Sequence, residues 1–262
     1  MMNKEEFIQL LQDKKYKAAQ NILSEMNDMD TAAFLEELDA KECALAFRLI
    51  SKEKAADVFS CMSSKMQTYL VDMFSETELK ELLDDLYMDD TVDMLEDLPA
   101  NLVTRILKNL DSTKRSTINK LLNYPEDSAG SIMTTEYVTL KKTMTVKQAM
   151  NHIKDIGIHK ETIYTCYVTE NKKLIGIVTA KSLMTSDDNE NITNLMNTNI
   201  ISVHTHTDQE QVAHLFRKYD LIAMPVLDSD GCLVGIVTFD DAMDVMVDET
   251  NEDISRMAAM EP

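Results

Sequence analysis

The residues in this sequence best suited to chemistry are carboxylates that lack neighbouring bases. The stretch YMDDTVDMLEDL, residues 87–98, holds five acidic side chains and no Lys or Arg. Asp89 and Asp93 are four positions apart, so both project from one face if the stretch is helical, and like charges so placed destabilise a helix by roughly 0.2–0.5 kcal/mol. The helix dipole offsets part of this cost if Asp89 lies in the first turn. A bound cation would offset the rest.

Acidic sequence with almost no bases occurs twice in the chain. Residues 66–104 contain eleven acids and one base, and residues 219–262 again contain eleven acids and one base. Two interpretations remain open. Such stretches can be solvated surfaces that keep a protein soluble, or they can bind hard cations, Mg²⁺ above all, through carboxylate oxygens.

Four acids of the second stretch stand at predicted turns and helix starts. Asp228 and Asp230 fall in a predicted turn between strands, and Asp240 and Asp241 follow Thr238 at a predicted helix start. Ordinary turn and capping chemistry explains each pair. Cation binding explains them equally, so these residues alone do not separate the two interpretations.

The composition favours cations or basic proteins as partners. The 262 residues carry a formal charge of −20, which argues against a nucleic-acid partner because binding to a phosphate backbone depends on Lys and Arg. Four widely spaced cysteines indicate neither a disulfide framework nor a zinc site. No apolar run approaches the ~20 residues of a membrane helix, and no signal peptide is seen, so this portion is expected to be cytoplasmic.

Catalytic motifs do not stand out. The sequence has no nucleophile elbow, no H-E-x-x-H and no P-loop, so no enzymatic activity is predicted. His204 and His206 alternate on a predicted strand, but no third ligand stands near them. We interpret them as exposed strand residues rather than as a zinc site.

The elements that must position the acids begin with a helical repeat. Residues 27–122 divide into eight units of twelve, and in every unit the last residue and the residue four earlier are apolar. This spacing gives each unit an apolar edge on one side of a helix. Helices so short are unstable alone, so the pattern predicts a solenoid of stacked short helices, preceded by a helical segment over residues 3–26. Asp57 and Asp93 share the seventh position of their units, which predicts a common surface.

After Gly130 the sequence changes to strands with helical segments between them, and it is duplicated. VTENKKLIGIVTAKSLM (168–184) and VLDSDGCLVGIVTFDDAM (226–243) each contain a strand, a polar turn, a second strand ending in Gly-Ile-Val-Thr, and a helix start. The duplication predicts two tandem β-α-β-β-α modules, over residues 131–186 and 196–248.

The two modules resemble a pair of cystathionine-β-synthase-type (CBS) modules, for which the doubled GIVT is a fairly specific cue. With the helical repeat and the junction YPEDSAGSIMTTEYVTL (124–140), the whole chain resembles the cytosolic part of MgtE-type magnesium channels. The expected fold is α+β and multidomain. It comprises a helical N domain over residues 1–130, an all-α superhelical solenoid, then the CBS pair, and over 249–262 the start of a segment that connects to a membrane domain.

The resemblance implies a Mg²⁺-sensing regulatory region that closes an ion pore at high Mg²⁺ by closure of the N domain onto the CBS pair. It also implies a homodimer formed through the CBS modules, in a multi-pass protein of the cell membrane. Ca²⁺ or Mn²⁺ would fit the same oxygen ligands, and sites completed by the connecting segment would be partial here. The metal ligands that the resemblance implies are Asp57, Asp89, Asp93, Asp228, Asp230, Asp240, a backbone carbonyl near Val237, and Glu261.

An adenine nucleotide such as ATP is the second ligand that the resemblance implies. CBS pairs use a T-x-x-D pattern whose Asp holds the ribose, and the second module has it as Thr238 and Asp241. The first module has Thr179 and Ser182 instead, so at most one complete site is expected. An adenine-nucleotide-sensing CBS module fused to a helical protein-interaction scaffold is therefore the alternative function, and an acidic scaffold for basic proteins is a third.

Overall fold

Short helices make up the first part of the chain, and their starts follow the sequence repeat. From α3 to α10 each helix begins twelve residues after the one before it. In α7 the Ser75 hydroxyl accepts the Glu78 backbone N–H while the Glu78 carboxylate accepts the Ser75 backbone N–H, which is a capping box. The helices are α1 (Lys4–Gln12), α2 (Tyr16–Glu25), α3 (Asp28–Glu36), α4 (Ala40–Phe47), α5 (Lys52–Ser60), α6 (Ser64–Met73), α7 (Glu76–Asp85), α8 (Met88–Asp97), α9 (Ala100–Asn109) and α10 (Ser112–Leu121).

The apolar positions of the repeat form the core of this helical region. Most of the residues that end a unit, such as Phe74 and Leu86, are buried, and so are most of those four positions earlier, such as Leu70 and Leu82. Helix α5 packs on α3 and α7, and α7 packs on α9. Alternate helices therefore stack on one another, as expected for a solenoid in which each unit buries its apolar edge against its neighbours.

The computed structural model describes residues 3–259, without the side chains of residues 253, 258 and 259. Its contacts divide the chain into two units. The helical unit contains the chain up to Leu86 together with Asp90–Ile118, and the CBS unit contains Tyr87–Asp89 and the chain from Asn119 onward.

The CBS unit contains two three-stranded sheets with the same topology. In each sheet the first strand pairs in parallel with the second, and the second pairs antiparallel with the third. A helix connects the first strand to the second, and another follows the third. The first module contains β1 (Val138–Lys141), α11 (Val146–Ile156), β2 (Thr165–Glu170), β3 (Lys173–Thr179) and α12 (Ala180–Thr185); the second contains β4 (Val203–His204), α13 (Gln209–Tyr219), β5 (Ala223–Leu227), β6 (Leu233–Thr238) and α14 (Phe239–Ala259).

The segment before the first strand of each module joins the sheet of the other module. Thr134 exchanges two backbone hydrogen bonds with Ile236 of β6, at 2.8 and 2.9 Å, and Asn197 exchanges two with Ile177 of β3, at 2.9 and 3.0 Å. A methionine lies beside each crossing. A Cβ atom on Gly235 would lie 2.4 Å from Met133 Sδ, and one on Gly176 would lie 1.9 Å from Met196 Cγ. The glycine of each GIVT sequence thus leaves room for a methionine side chain, and at Gly235 also for the Thr134 carbonyl oxygen, which would lie 2.9 Å from a Cβ atom.

The predicted fold class, a helical solenoid followed by a CBS pair, is confirmed. None of the described helices combines the length and the apolar character needed to cross a bilayer.

Candidate cation and nucleotide sites

In the helical unit, Asp57 lies on α5 in an acidic neighbourhood that includes a residue the sequence pattern did not indicate. Burial, and after it the charge of Asp28, raises the pKa of Asp57. Burial also raises the pKa of the neighbouring Cys61 thiol, with further contributions from Asp28, Asp90 and Asp57. The charges of three carboxylates from different helices therefore act on one thiol. The sequence does not predict that Asp28 lies near Asp57, because this proximity depends on how the twelve-residue units stack.

The bases of the helical unit hold the ends of its helices. Lys54 Nζ donates to the Leu23 carbonyl at 3.0 Å, Arg105 Nη1 to the Val71 carbonyl at 2.6 Å, and Lys114 Nζ to the Leu83 carbonyl at 2.9 Å. Each carbonyl lies in the last turn of a helix, where unpaired C=O groups attract cations. These bases are therefore divided between helix termini and carboxylates, since Lys54 Nζ also lies 3.6 Å from Asp28 Oδ1 and Arg105 Nε lies 2.8 Å from Glu76 Oε1.

Asp89 and Asp93 both lie on α8 but differ in exposure. The structure buries Asp89, which is 7% exposed, and leaves Asp93 exposed. Both residues interact with neighbouring groups of the protein. A cation at either carboxylate would join or replace those interactions.

In the CBS unit, Asp228 organises the turn between β5 and β6. Its Oδ1 accepts the backbone N–H groups of Asp230 at 2.9 Å and Cys232 at 2.8 Å, and Gly231 in the same turn has a φ of +74°. One oxygen of Asp228 thus has the structural role of an Asx turn. The Asp230 side chain is exposed at the tip of the turn.

Thr238, Asp240 and Asp241 form a compact cluster at the start of α14. The Thr238 hydroxyl oxygen lies 2.5 Å from Asp240 Oδ1 and 2.5 Å from Asp241 Oδ2, although a hydroxyl donates a single hydrogen bond. Burial raises the pKa of Asp241 to about 6, and the charges of Asp240 and Asp244 add to this rise against the lowering effect of the Thr238 hydroxyl. The arrangement concentrates negative charge that a cation beside Asp240 would neutralise.

Asp244 extends this charge along α14. Burial, followed by the charges of Asp248 and Asp240, raises its pKa. The three acids are four residues apart, so they share one face of the helix. The four-residue spacing is visible in the sequence, although Asp244 and Asp248 are not among the predicted ligands.

The remaining predicted ligands do not add a further oxygen cluster. Val237 is fully buried in β6, paired in the sheet with Met224, and Glu261 lies outside the described residues. Within residues 3–259, no three His, Cys, Asp or Glu side chains lie close enough together to hold a metal ion. The described acids therefore offer separate pairs of carboxylates within each unit.

A cavity of about 250 Å³, here called the inter-module cavity, lies between the two CBS modules. Its walls come from β2 and β3 of the first module, the segment before β4, the end of α13, and β5. Thr238 and Asp241 are not among its lining residues. These are Thr165, Tyr167, Ile177, Asn197, Asn199, Ile201, Tyr219, Leu221, Ala223 and Pro225.

Comparison with known families matches nearly all of the chain. Residues 26–127 match the MgtE intracellular N domain, and residues 129–188 and 192–248 match the CBS domain. The magnesium transporter MgtE of Thermus thermophilus is 34% identical over 96% of this chain and 57% of that protein. The MgtE of Bacillus subtilis is 31% identical over 95% of this chain and 56% of that protein. The chain thus spans a little over half the length of these relatives, which are transporters rather than enzymes.

Solved structures give the same result for the fold. The cytosolic domain of the Mg²⁺ channel MgtE in complex with ATP superposes with a TM-score of 0.87 at 33% identity, covering 93% of this chain and all of that one. The soluble part of a magnesium transporter also superposes with a TM-score of 0.87, at 31% identity over 94% of this chain and 99% of that one.

Proposed function

Because this chain belongs to the MgtE family of magnesium transporters, we propose that it is the Mg²⁺-sensing regulatory region of such a transporter. Mg²⁺ binds carboxylates of the helical unit and of the CBS unit and favours closure of the helical domain onto the CBS pair. In the full-length protein of the cell membrane, this closure favours a closed pore. At low Mg²⁺ the repulsion between the acidic surfaces returns and releases the helical domain from the CBS pair.

The observation that carries the proposal is that in each unit the charge of one acid raises the pKa of another. Asp28 acts on Asp57 in the helical unit, and Asp248 and Asp240 act on Asp244 in the CBS unit. Mutual repulsion of this kind is relieved by a cation. Mg²⁺ suits separate pairs of carboxylates, because it keeps several waters and typically binds through one or two carboxylates. Weak sites of this kind fit a sensor of an abundant ion.

The ligands proposed for Mg²⁺ are the acids named from the sequence, Asp57, Asp89, Asp93, Asp228, Asp230, Asp240 and Glu261, with the carbonyl near Val237. Asp28 and Asp244 join them as residues that shape the local charge. Because one oxygen of Asp228 is engaged in its turn, the other oxygen is the one proposed for the ion.

Calorimetric titration with Mg²⁺ tests the proposal. We expect saturable binding at millimolar Mg²⁺ that NaCl at equal ionic strength does not reproduce, and we expect Asp57→Asn to weaken it. Asp13→Asn is the matched control, because Asp13 is an acid of the same unit that pairs with Lys15 at 2.9 Å, and it should bind Mg²⁺ like the unmodified protein. Absence of saturable binding would overturn the proposal.

A homodimer formed through the CBS modules is part of the proposal. Both modules expose large apolar side chains: Tyr164 is 65% and Met184 73% exposed in the first, and Phe239 is 50% and Met243 38% exposed in the second. Met184 and Met243 occupy matching positions, each in the helix that follows a GIVT sequence. Apolar side chains exposed at matching places are suited to a symmetric interface.

Adenine-nucleotide binding is the second candidate function, and the inter-module cavity favours it. A structural neighbour of this chain is a complex with ATP, and the cavity offers amide and hydroxyl groups on an otherwise apolar wall, as small-molecule sites do. Thr238 and Asp241 stay proposed as the ribose-binding pair of the second module, at the start of α14 and outside the lining of this cavity. Calorimetry with ATP and AMP in metal-free buffer tests this function, and absence of binding by both would remove it.

A further inference from the structure

A cleft of about 240 Å³ in the helical unit is lined by none of the acids proposed to bind Mg²⁺. It is here called the α5–α7 slot, because these two helices pack on each other and supply most of its walls. The C-terminal ends of α4 and α6 and the turn after α4 supply the rest. Its floor is apolar and is built by Phe47, Ile50, Ala55, Ala56, Phe74 and Leu82.

Two aromatic rings form part of this floor. The ring centroids of Phe47 and Phe74 lie 5.5 Å apart, and both side chains are buried. Aromatic faces offer a contact surface to another apolar group. Because the slot is smaller than the roughly 300–1,000 Å³ typical of sites for drug-sized ligands, it suits a single anchor side chain, the kind of residue that dominates the energy of protein interfaces.

Charged side chains surround the floor, and acids outnumber bases among them. The bases are Arg48 and Lys52, and the acids are Glu78, Glu81 and Asp85. Arg48 Nε lies 2.6 Å from Glu78 Oε1, and Lys52 Nζ lies 3.9 Å from Asp85 Oδ2. Both bases therefore face acids of the slot itself. Among the residues that the structure describes, the exposed Glu81 forms no ion pair.

This rim selects a cationic partner. Glu81 supplies one carboxylate that no base of the slot neutralises, and its helix α7 carries five acids and a single base, Lys80. The whole chain carries a formal charge of −20, so its field attracts a segment with Lys or Arg and repels an acidic one.

The surrounding architecture fits a helical segment of another protein. Stacked helices of a solenoid build extended surfaces that bind other chains, and an amphipathic helix binds such a surface by placing its apolar side chains in a groove. Residues one turn apart on that helix share a face. One apolar side chain could therefore enter the slot while a neighbouring Lys or Arg faces Glu81.

We infer that the α5–α7 slot is a docking site for a cationic amphipathic helix of a partner protein. The helix places one apolar side chain on the floor of the slot and presents a Lys or Arg to Glu81. This role is separate from Mg²⁺ sensing, because none of the proposed Mg²⁺ ligands lines the slot. It makes the helical domain a scaffold for a second protein.

Fluorescence anisotropy of a labelled synthetic peptide with the unmodified protein in metal-free buffer tests the inference. The peptide is a capped, Ala-rich chain of roughly 16 residues, long enough to form a helix, with one central Phe and a Lys one turn to either side. We expect saturable binding. Replacing the Phe by Ala should weaken it roughly tenfold or more, and replacing both Lys by Glu should abolish it. Absence of saturable binding, or equal binding of the Ala peptide, would overturn the inference.

A charge variant locates the binding without disturbing the fold. Glu81→Gln should weaken peptide binding roughly twofold to fivefold at low salt, as expected for one exposed charge, and the difference should shrink at high salt. Glu37→Gln, at an exposed acid that does not line the slot, should bind the peptide like the unmodified protein. Equal binding by the Glu81→Gln and Glu37→Gln variants at low salt would contradict the inference.

A second pair of variants tests the floor. Ala55→Trp should fill the slot and remove peptide binding, with circular dichroism used to show that the variant is folded. Ala33→Trp, at an exposed alanine of α3 outside the slot, should retain binding. A folded Ala55→Trp variant that binds the peptide normally would overturn the inference, and if that variant does not fold, Glu81→Gln decides.

Phenethylamine distinguishes a protein segment from a small organic cation, because it carries an aromatic ring and an ammonium group without a helix. We expect it to displace the peptide only at far higher concentrations than the unlabelled peptide does, because it lacks the other contacts of a helix. Displacement at equal concentrations would overturn the assignment to a protein partner. Each of these outcomes leaves the Mg²⁺ proposal unchanged.

Discussion

At the scale of single residues, Glu78 shows how one carboxylate of this acidic chain is held by its neighbours. Arg48 Nε donates to Glu78 Oε1 at 2.6 Å, and the Ser75 backbone N–H donates to Glu78 Oε2 at 2.8 Å. The hydrogen bond from Arg48, followed by the bonds from Ser75, lowers the pKa of Glu78 to about 2 despite some burial. A basic partner thus lowers the pKa of Glu78, whereas burial and the charge of Asp28 raise the pKa of Asp57.

The Glu78 pair predicts a pH dependence of stability. Because the folded-state pKa lies below the unfolded value of 4.5, the stabilisation is fully present above pH 4.5 and is lost as the pH falls toward 2. Arg48→Gln should reduce this acid-dependent loss and lower the free energy of unfolding at pH 7 by roughly 0.5–1 kcal/mol, a modest effect because both side chains are more than a third exposed. Urea unfolding at several pH values measures it. Lys15 lowers the pKa of the more exposed Asp13, so Lys15→Gln should change both quantities in the same direction but by less. An unchanged acid dependence in Arg48→Gln would contradict the prediction.

The N-caps of the repeat differ in strength although their sequences look alike. Ser75 makes a capping box, whereas Ser51, at the same position of its own unit, makes no side-chain cap hydrogen bond. Ser75→Ala should therefore lower the free energy of unfolding by about 1 kcal/mol, and Ser51→Ala should have little effect. Chemical denaturation measures both free energies of unfolding. Equal losses in Ser75→Ala and Ser51→Ala would show that the cap hydrogen bond of Ser75 does not contribute to stability.

At the scale of elements, the crossed packing of methionine on glycine holds the two CBS modules together. Each GIVT glycine lies under a methionine from the segment that precedes the other module. Gly176→Ala should destabilise the CBS unit by roughly 1–3 kcal/mol through overpacking, and so should Gly235→Ala. The double variant Gly176→Ala/Met196→Ala should recover part of that loss, because the clash partner is removed. Thermal unfolding of these three variants and of Met196→Ala measures the losses, and a double variant that loses more stability than Gly176→Ala and Met196→Ala together would contradict the packing account.

Elements of this fold were largely predictable from the sequence, because local patterns determine them. The twelve-residue spacing predicted where each helix of the solenoid begins, and the duplicated GIVT predicted two equivalent modules. The proximity of Asp28 to Asp57 was not predictable, because it depends on the pitch of the stacked helices rather than on position within a unit. The T-x-x-D pattern at Thr238 and Asp241 marks a strand end and a helix start, but it does not show where a cavity forms. The inter-module cavity depends on how two sheets approach each other, which no local pattern records.

At the scale of the whole molecule, the proposed dimer gives a direct prediction. Met184→Asp places a charge within the exposed apolar surface of the first CBS module and should shift the protein from dimer to monomer in light scattering coupled to gel filtration. Met29→Asp is the matched control, since Met29 is 64% exposed in the helical unit, and it should leave the mass unchanged. A monomeric unmodified protein, or a dimer unaffected by Met184→Asp, would contradict a CBS interface at this surface.

The central claim is that repulsion between acidic surfaces keeps this regulatory region open and that a divalent cation removes the repulsion. Small-angle X-ray scattering with and without millimolar Mg²⁺, against NaCl at equal ionic strength, tests it most directly. We predict that Mg²⁺ reduces the radius of gyration, that NaCl at equal ionic strength does not, and that Asp57→Asn combined with Asp93→Asn diminishes the response to Mg²⁺. A radius of gyration that Mg²⁺ leaves unchanged would contradict the account.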